Sequence, residues 1–164
     1  MNIKKPTSYI QQTRELYDSL GYPPYNWFHA DDDPPFSVPK KLLAQSRVGL
    51  VSTAGTYVQG QVAYYYKDDT SIRAIPVDTP VDKLRFSHVT ENYLVDARDD
   101  PRCVFPIEAL ARLRDEGVIG DLASNFYSCM GGIYSQRRVR EELIPRLEAA
   151  VTHEALDSLL LVPL

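Results

Sequence analysis

The spacing of apolar residues changes period several times along this chain, and each change marks a predicted element. Ile10, Thr13, Tyr17 and Leu20 share one face of a short helix, which Gly21 ends. A second short helix over 38–46 leads into RVGLVST, an apolar run bounded by polar residues that reads as a strand buried on both faces. Thr53, Ala54, Gly55 and Thr56 follow as a loop. Further strands are predicted over 72–77 and, on a weaker pattern, 86–89. Residues 106–116 form a helix with Pro106 in its first turn and Gly117 at its end. The stretch 122–128 reads as a strand running into Met130-Gly131-Gly132. Val139, Leu143, Leu147 and Val151 recur every fourth residue as the stripe of an amphipathic helix, kinked at Pro145. Leu159 to Val162 closes the pattern as a last buried strand, and the Tyr64-Tyr65-Tyr66 run suits an element packed at an edge.

Strands alternating with helices predict the α/β class, a mostly parallel sheet flanked by helices in a Rossmann-like, doubly wound arrangement. Residues 47–164 are assigned to that domain, and 1–46 to an N-terminal helix and proline-rich arm. The arm segment GYPPYNWFHADDDPPFSVPK holds five prolines and three consecutive aspartates, which favour an extended surface path. Its aromatics, Tyr22, Tyr25, Trp27, Phe28 and Phe36, are expected to pin it onto the domain.

Composition narrows the partners. A net charge of -4 and a pI near 5.3 argue against a general nucleic-acid or anionic-membrane binder. Two cysteines are too few for a disulfide framework, and the N-terminus lacks the apolar stretch of a secretory signal. No run approaches the roughly 18 apolar residues of a membrane span. The expected compartment is the reducing cytoplasm, with no nucleic acid and no membrane as partner.

Ligands of doubly wound sheets bind beyond the carboxyl ends of the strands, which directs attention to the residues after the first strand. Ser52, Thr53 and Gly55 offer hydroxyls and backbone N–H groups there for a carboxylate or phosphate, although any such domain needs a small-residue turn at this point. His88, with Glu91 and Asp96 nearby in sequence, is a candidate proton shuttle, although a lone histidine is more often structural. Cys129 lies at a strand end before two glycines, where a thiolate could be activated; a small buried hydrophobe is the favoured reading. Cys103 is read the same way, and the two cysteines lack the spacing of a zinc site, so no metal is assigned. Arg137, Arg138, Arg140 and Arg146 are offset by Glu141, Glu142 and Glu148 and read as a solvated helix surface.

Several segments, in their order and spacing, resemble a known family. They are Thr53-Ala54-Gly55 with Gln59-Gly60-Gln61, then Asp69 to Pro76 (DTSIRAIP), and Asp99 to Ile107 (DDPRCVFPI). Glu116 to Gly120 (EGVIG), Ser128-Cys129-Met130-Gly131-Gly132 and Leu161-Val162-Pro163-Leu164 follow. From about Arg47 onward the chain resembles the glycine/sarcosine/betaine/D-proline reductase family, in its short, selenoprotein component-B-like form. The resemblance implies an oxidoreductase that reductively cleaves a C–N or related bond of an amino acid or derivative. Its implied partners are an amino-acid-like small molecule and a thiol or selenol redox subunit. No cofactor is visible, and the implied nucleophile is a selenocysteine, or a cysteine, directly after the segment matching 161–164. The chain is accordingly expected to be the N-terminal part of a larger domain, truncated at the selenocysteine codon. Relatives often carry a second histidine where this chain has Thr90, and commonly phenylalanine where it has Cys129, so Cys129 does not inherit the redox role.

Two other readings stay open. An amino-acid racemase-like enzyme would need two opposed acid/base groups, with Cys103 and Cys129 as the available thiols. A non-catalytic α/β binding domain needs neither.

Overall fold

A computed structural model describes residues 8–35 and 37–164, in two compact units, Met1–Ser37 and Val38–Leu164. In the first unit α1 spans Tyr9–Ser19, and the Ser8 hydroxyl accepts from Gln11 N at 3.4 Å as its cap. Gly21 ends it at φ +68°, as its lack of a Cβ allows. The ring of Tyr17 meets Tyr22 and Tyr25 edge-on, each at 5.9 Å. Phe36 lies outside the described residues.

The second unit is built on β1, Arg47–Ser52, whose residues from Val48 onward are all buried. One edge of β1 pairs in parallel with β7, Ser158–Val162, over five consecutive residues. The other edge pairs in parallel with β5, Asp121–Leu122, and then with β6, Asn125–Ser128. A fourth sheet position is filled by β3, Arg73–Pro76, which lies antiparallel to β6. The sheet is therefore mostly parallel, as the strand and helix alternation predicted. Its core holds Val48, Leu50, Ile75, Phe105, Ile107 and Phe126, with the two phenylalanine rings edge to face at 6.2 Å. After the short helix α2, Val95–Asp99, helix α3, Ile107–Asp115, contributes Ile107 and Leu110 and stops before Gly117, which takes φ +72°.

Four sequence expectations need correction. Only a single 3-10 turn, Leu43–Gln45, forms where a helix over 38–46 was expected. Tyr64, Tyr65 and Tyr66 belong to no strand or helix; Tyr64 is buried and the other two are exposed. The strand over 86–89 is instead β4, Leu84–Phe86, which leaves the main sheet and pairs antiparallel with β2, Thr56–Val58. Most consequentially, β7 is not buried: Leu159, Leu160 and Leu161 are 38%, 39% and 65% exposed. Its leucines read as core because composition reports apolarity, while burial also depends on what lies beside the strand.

The predicted 122–128 strand is real but interrupted. Three steps along β1, from Val48 to Val51, are matched by five from Leu122 to Tyr127, so Ala123 and Ser124 are extra. This break frees backbone donors, and Glu154 collects them. Its buried carboxylate accepts from Ser124 N at 2.7 Å, Asn125 N and Nδ2 at 3.1 Å, and the Tyr127 hydroxyl at 3.2 Å. Arg47 adds a longer ionic contact, Nη2 to Oε2 at 3.6 Å. Glu154 caps α5, Ile144–His153, and so ties that helix to the interrupted strand. The helix is entered through α4, Gln136–Arg138, and a π turn, Val139–Leu143, that ends two residues before Pro145. A wider turn here accommodates a proline that lacks an N–H and clashes with the carbonyl four residues back. Arg137 with Glu141 and Arg138 with Glu142 form i,i+4 pairs on this segment's polar side. Among the described residues no helix is long and apolar enough to cross a membrane.

Burial pushes the Glu154 pKa up, but its donors outweigh this and hold it below the ordinary 4.5. A depressed folded-state value contributes stability that is present above the unfolded value and lost as pH falls through the folded one. Replacing Glu154 by Ala should cost about 2–4 kcal/mol at pH 7. Glu154→Gln should flatten the loss of stability below about pH 4.5; urea unfolding at pH 7, 5 and 3.5 measures both.

Candidate functional site

The predicted site residues converge because of the way the chain leaves β1. After Ser52 the loop Thr53-Ala54-Gly55 turns the backbone into β2. Strand β4 returns antiparallel, with Thr56 opposite Phe86, so the residues after Phe86 arrive beside the loop. Ser87 N donates to Gly55 O at 3.0 Å, and His88 follows. Gly55 takes φ +64°, and a Cβ there would overlap the Ser87 carbonyl oxygen. Only glycine meets both demands.

The same end of the sheet receives the last residues of β6 and β7. Gly131 N donates to Thr53 O at 2.8 Å, and Leu164 N donates to Thr53 Oγ1 at 2.9 Å. A Cβ on Gly131 would lie 2.8 Å from Leu164 O and 3.0 Å from Thr53 Oγ1. On Gly132 it would overlap Val89 and sit 3.3 Å from His88 Cε1. Neither glycine has a positive φ. The pair is thus explained by close approach among three chain ends rather than by the flexibility a Gly-Gly step suggests. Thr53, Gly131, Gly132, His88 and Leu164 together mark the carboxyl end of the parallel strands.

Within this cluster the loop's N–H groups are engaged by the fold. Thr53 N donates to Val162 O, Ala54 N to Ser52 Oγ, Gly55 N to Cys129 O and Thr56 N to Ser128 Oγ. The anion nest read from the loop's small residues is therefore already filled by protein acceptors, and Ser52 is fully buried as one of them. Thr53, half-buried, keeps its hydroxyl at the cluster. Burial pushes the Cys129 thiol up to about 11, the condition of an inert core cysteine. Cys103, exposed in the turn before α3, is raised by burial and by Asp100 and Asp96. Two thiols held protonated in such different surroundings do not suit racemase-type proton exchange.

His88 is 5% exposed, and its surroundings assign its tautomer. Thr90 N donates to Nδ1 at 3.1 Å, and the Thr90 hydroxyl lies 2.7 Å from the same atom. Because a backbone N–H can only donate, Nδ1 is the acceptor and Nε2 carries the proton. That Nε2 is buried and meets no hydrogen-bond partner among the described residues. An orphaned buried donor costs about 1–3 kcal/mol, so its retention calls for a physical reason. Burial also lowers the His88 pKa, against a smaller opposing effect of Glu91, which favours the neutral ring. The sequence pointed to His88 but not to Thr90 as its partner, nor to the equally unpartnered, buried hydroxyl of Thr56. Tyr64, read from the sequence only as part of an edge-packed run, donates its hydroxyl to Ser128 O at 2.6 Å beneath the Arg73 guanidinium.

A surface hollow of about 500 Å3 is lined by Pro80, Val81, Leu84, Arg85, Arg98 and Arg102, and by none of the site residues above. Arg98 is paired with Glu91 and Arg102 with Asp100 and Glu108, and Arg85 donates to Asp82 O, Leu84 O and Gln59 Oε1. The convergence of chain ends at His88 therefore remains the better candidate.

Comparison with known proteins bears on this site. The chain is similar to D-proline reductase subunit gamma. In that protein, from Acetoanaerobium sticklandii, 33% of residues are identical over 129 positions, which cover 78% of this chain and 53% of the relative. The chain thus spans about half the length of the curated relative it matches. No protein-family model matches the chain, and no solved structure does. That relative bears the name of the reductase family that the sequence resembles.

Two outcomes follow. Gly55→Ala should lower stability by about 2 kcal/mol or more, since both conformation and space oppose a Cβ, and thermal melting reads it. A lowered histidine pKa contributes stability that is present above the unfolded value of 6.5 and is lost as pH falls below it. The stability difference between pH 7.5 and pH 5.5 should accordingly shrink in His88→Gln.

Proposed function

We propose that this chain is part of a selenol- or thiol-dependent reductase subunit that opens a C–N bond of an amino-acid substrate of the D-proline kind. The observation that carries the reading is His88: a buried imidazole with its tautomer fixed by Thr90 and its Nε2–H without a partner among the described residues. Such a donor is suited to a carboxylate or to the ring nitrogen of the substrate as negative charge develops there. The similarity to a D-proline reductase subunit supports that substrate class.

The chemistry asks for a nucleophile ionised near neutral pH. Cys129 and Cys103 are both raised, so in this reading neither serves. The nucleophile is the selenocysteine or cysteine that the resemblance implies directly after Leu164. Leu164 is held by Thr53 Oγ1 and lies against Gly131, next to the Gly132 and His88 contact. A residue following Leu164 would emerge at this cluster. A selenol there is ionised well below the ordinary thiol value of about 8.5. Reductive cleavage takes up two electrons and two protons, replacing C–N by C–H and N–H. The selenol or thiol and one partner thiol give up the two electrons and end joined as a single Se–S or S–S bond, and the second thiol of that partner dithiol then displaces the nucleophile and leaves the partner as a disulfide. A redox partner subunit belongs to the proposal for that reason.

The test is D-proline-dependent oxidation of dithiothreitol by the enzyme purified from cells that make this chain. Turnover is expected, with kcat/KM in His88→Gln lowered at least roughly tenfold. Absence of turnover with D-proline and related amino acids, or a His88→Gln enzyme indistinguishable from the parent, would contradict the reading.

A further inference from the structure

The two edges of the main sheet are treated differently. At the β3 edge, Arg73 Nε donates to Val62 O at 2.7 Å, and Gln61 Nε2 donates to Ala74 O at 2.9 Å. Residues 61–63 thus lie along that strand, and Pro76 ends it. Both are ways a sheet guards an edge. Strand β7 has neither. Its sequence, Ser-Leu-Leu-Leu-Val, carries no charge and no proline, and its register against β1 runs through five residues without a bulge. Among the described residues it pairs with β1 alone.

Its faces are only partly covered, with Val162 packed against the core. Side chains alternate along a strand, so Leu159 and Leu161 point to one face and Leu160 to the other. All three are exposed, Leu161 at 65%. Parallel sheets are normally covered on both faces by the helices of their crossover connections. A strand that is apolar on both faces and keeps an unbroken register therefore has the character of an interior strand placed at an edge.

We propose that the outer edge of β7 is a docking edge, taken by a further parallel strand and its accompanying helix from the part of the reductase subunit outside the present match. The argument for this occupant is length and chemistry together: the chain spans about half of its relative, and what β7 lacks is what one more strand–helix unit provides. The identity of the occupant rests on the proposed reductase reading; the edge itself rests on geometry alone. Whether the added strand is supplied on the same polypeptide or a separate one does not change the surface it meets.

The probe is the portion of D-proline reductase subunit gamma outside its matched stretch, added as a separate polypeptide to the full 164-residue chain. A one-to-one complex is expected by sedimentation, with slowed hydrogen exchange at the amides of Ser158–Val162. Leu160→Lys and Leu161→Lys, one for each face, should each weaken it roughly tenfold or more, whereas Tyr93→Ser, at an exposed position in a turn, should not. Because both leucines are exposed in the chain alone, circular dichroism should show each variant folded. No complex, or a complex indifferent to both lysines, would overturn the proposal. So would a dimer of the chain alone that protects the same amides and is broken by Leu161→Lys, because a second copy would then own the edge. A β7-dependent complex without D-proline turnover keeps the docking edge and removes the reductase reading; turnover insensitive to both lysines does the reverse.

Discussion

Strand β1 is hydrogen-bonded along both edges, to β7 on one side and to β5 and β6 on the other, and this double pairing fixes the position of nearly every other feature of the second unit. With Val48 to Ser52 buried, β1 cannot shift register without moving the core. Its carboxyl end consequently sets where the Thr53–Gly55 loop lies, where β2 starts and where β4 returns. Gly49 belongs to the same constraint. A side chain there would overlap Leu156 and crowd Leu159, so the approach of the β7 segment depends on its absence. Glu154 serves the opposite edge, where it satisfies the donors released by the break between β5 and β6.

Much of this architecture was legible as periodicity. RVGLVS, the helix after Pro106, the Val139 to Val151 stripe and the final apolar run all form the predicted kind of element. Their signals are local: a run of β-branched and aliphatic residues, a proline at a first turn, a glycine after a last one. What failed was nonlocal. Leu159 to Leu161 were read as buried because no sequence pattern records whether a neighbouring strand is present. The weak strand near Phe86 lies at Leu84–Phe86 and pairs with β2 outside the main sheet, a partner that no local pattern names. The 38–46 segment has apolar residues but few capping signals, and shrinks to one 3-10 turn.

The site divides in the same way. His88, Thr53, Gly55 and the Gly131-Gly132 step could be selected from the sequence because residue type alone suggests chemistry or a tight turn. Their meeting could not, since it depends on β4 running antiparallel to β2. Nor could the loop's N–H groups be known to be occupied, because their acceptors, Val162 O, Cys129 O and Ser128 Oγ, come from two other strands. The departure at Thr90 gains a physical sense in the structure. Its N–H and hydroxyl flank Nδ1 of His88 and leave one defined proton, on Nε2, directed away from that turn.

The account stands or falls on that proton being available to a substrate. Nitrogen-15 NMR of histidine-labelled protein, with D-proline added stepwise, reads it directly, because Nδ1 and Nε2 of a neutral ring resonate far apart. The account predicts an Nε2-protonated His88 at pH 7 whose Nε2 resonance moves and saturates with D-proline, while His29 and His153 stay still. An Nδ1-protonated ring, or a His88 resonance unmoved by D-proline and by related amino acids, would contradict it.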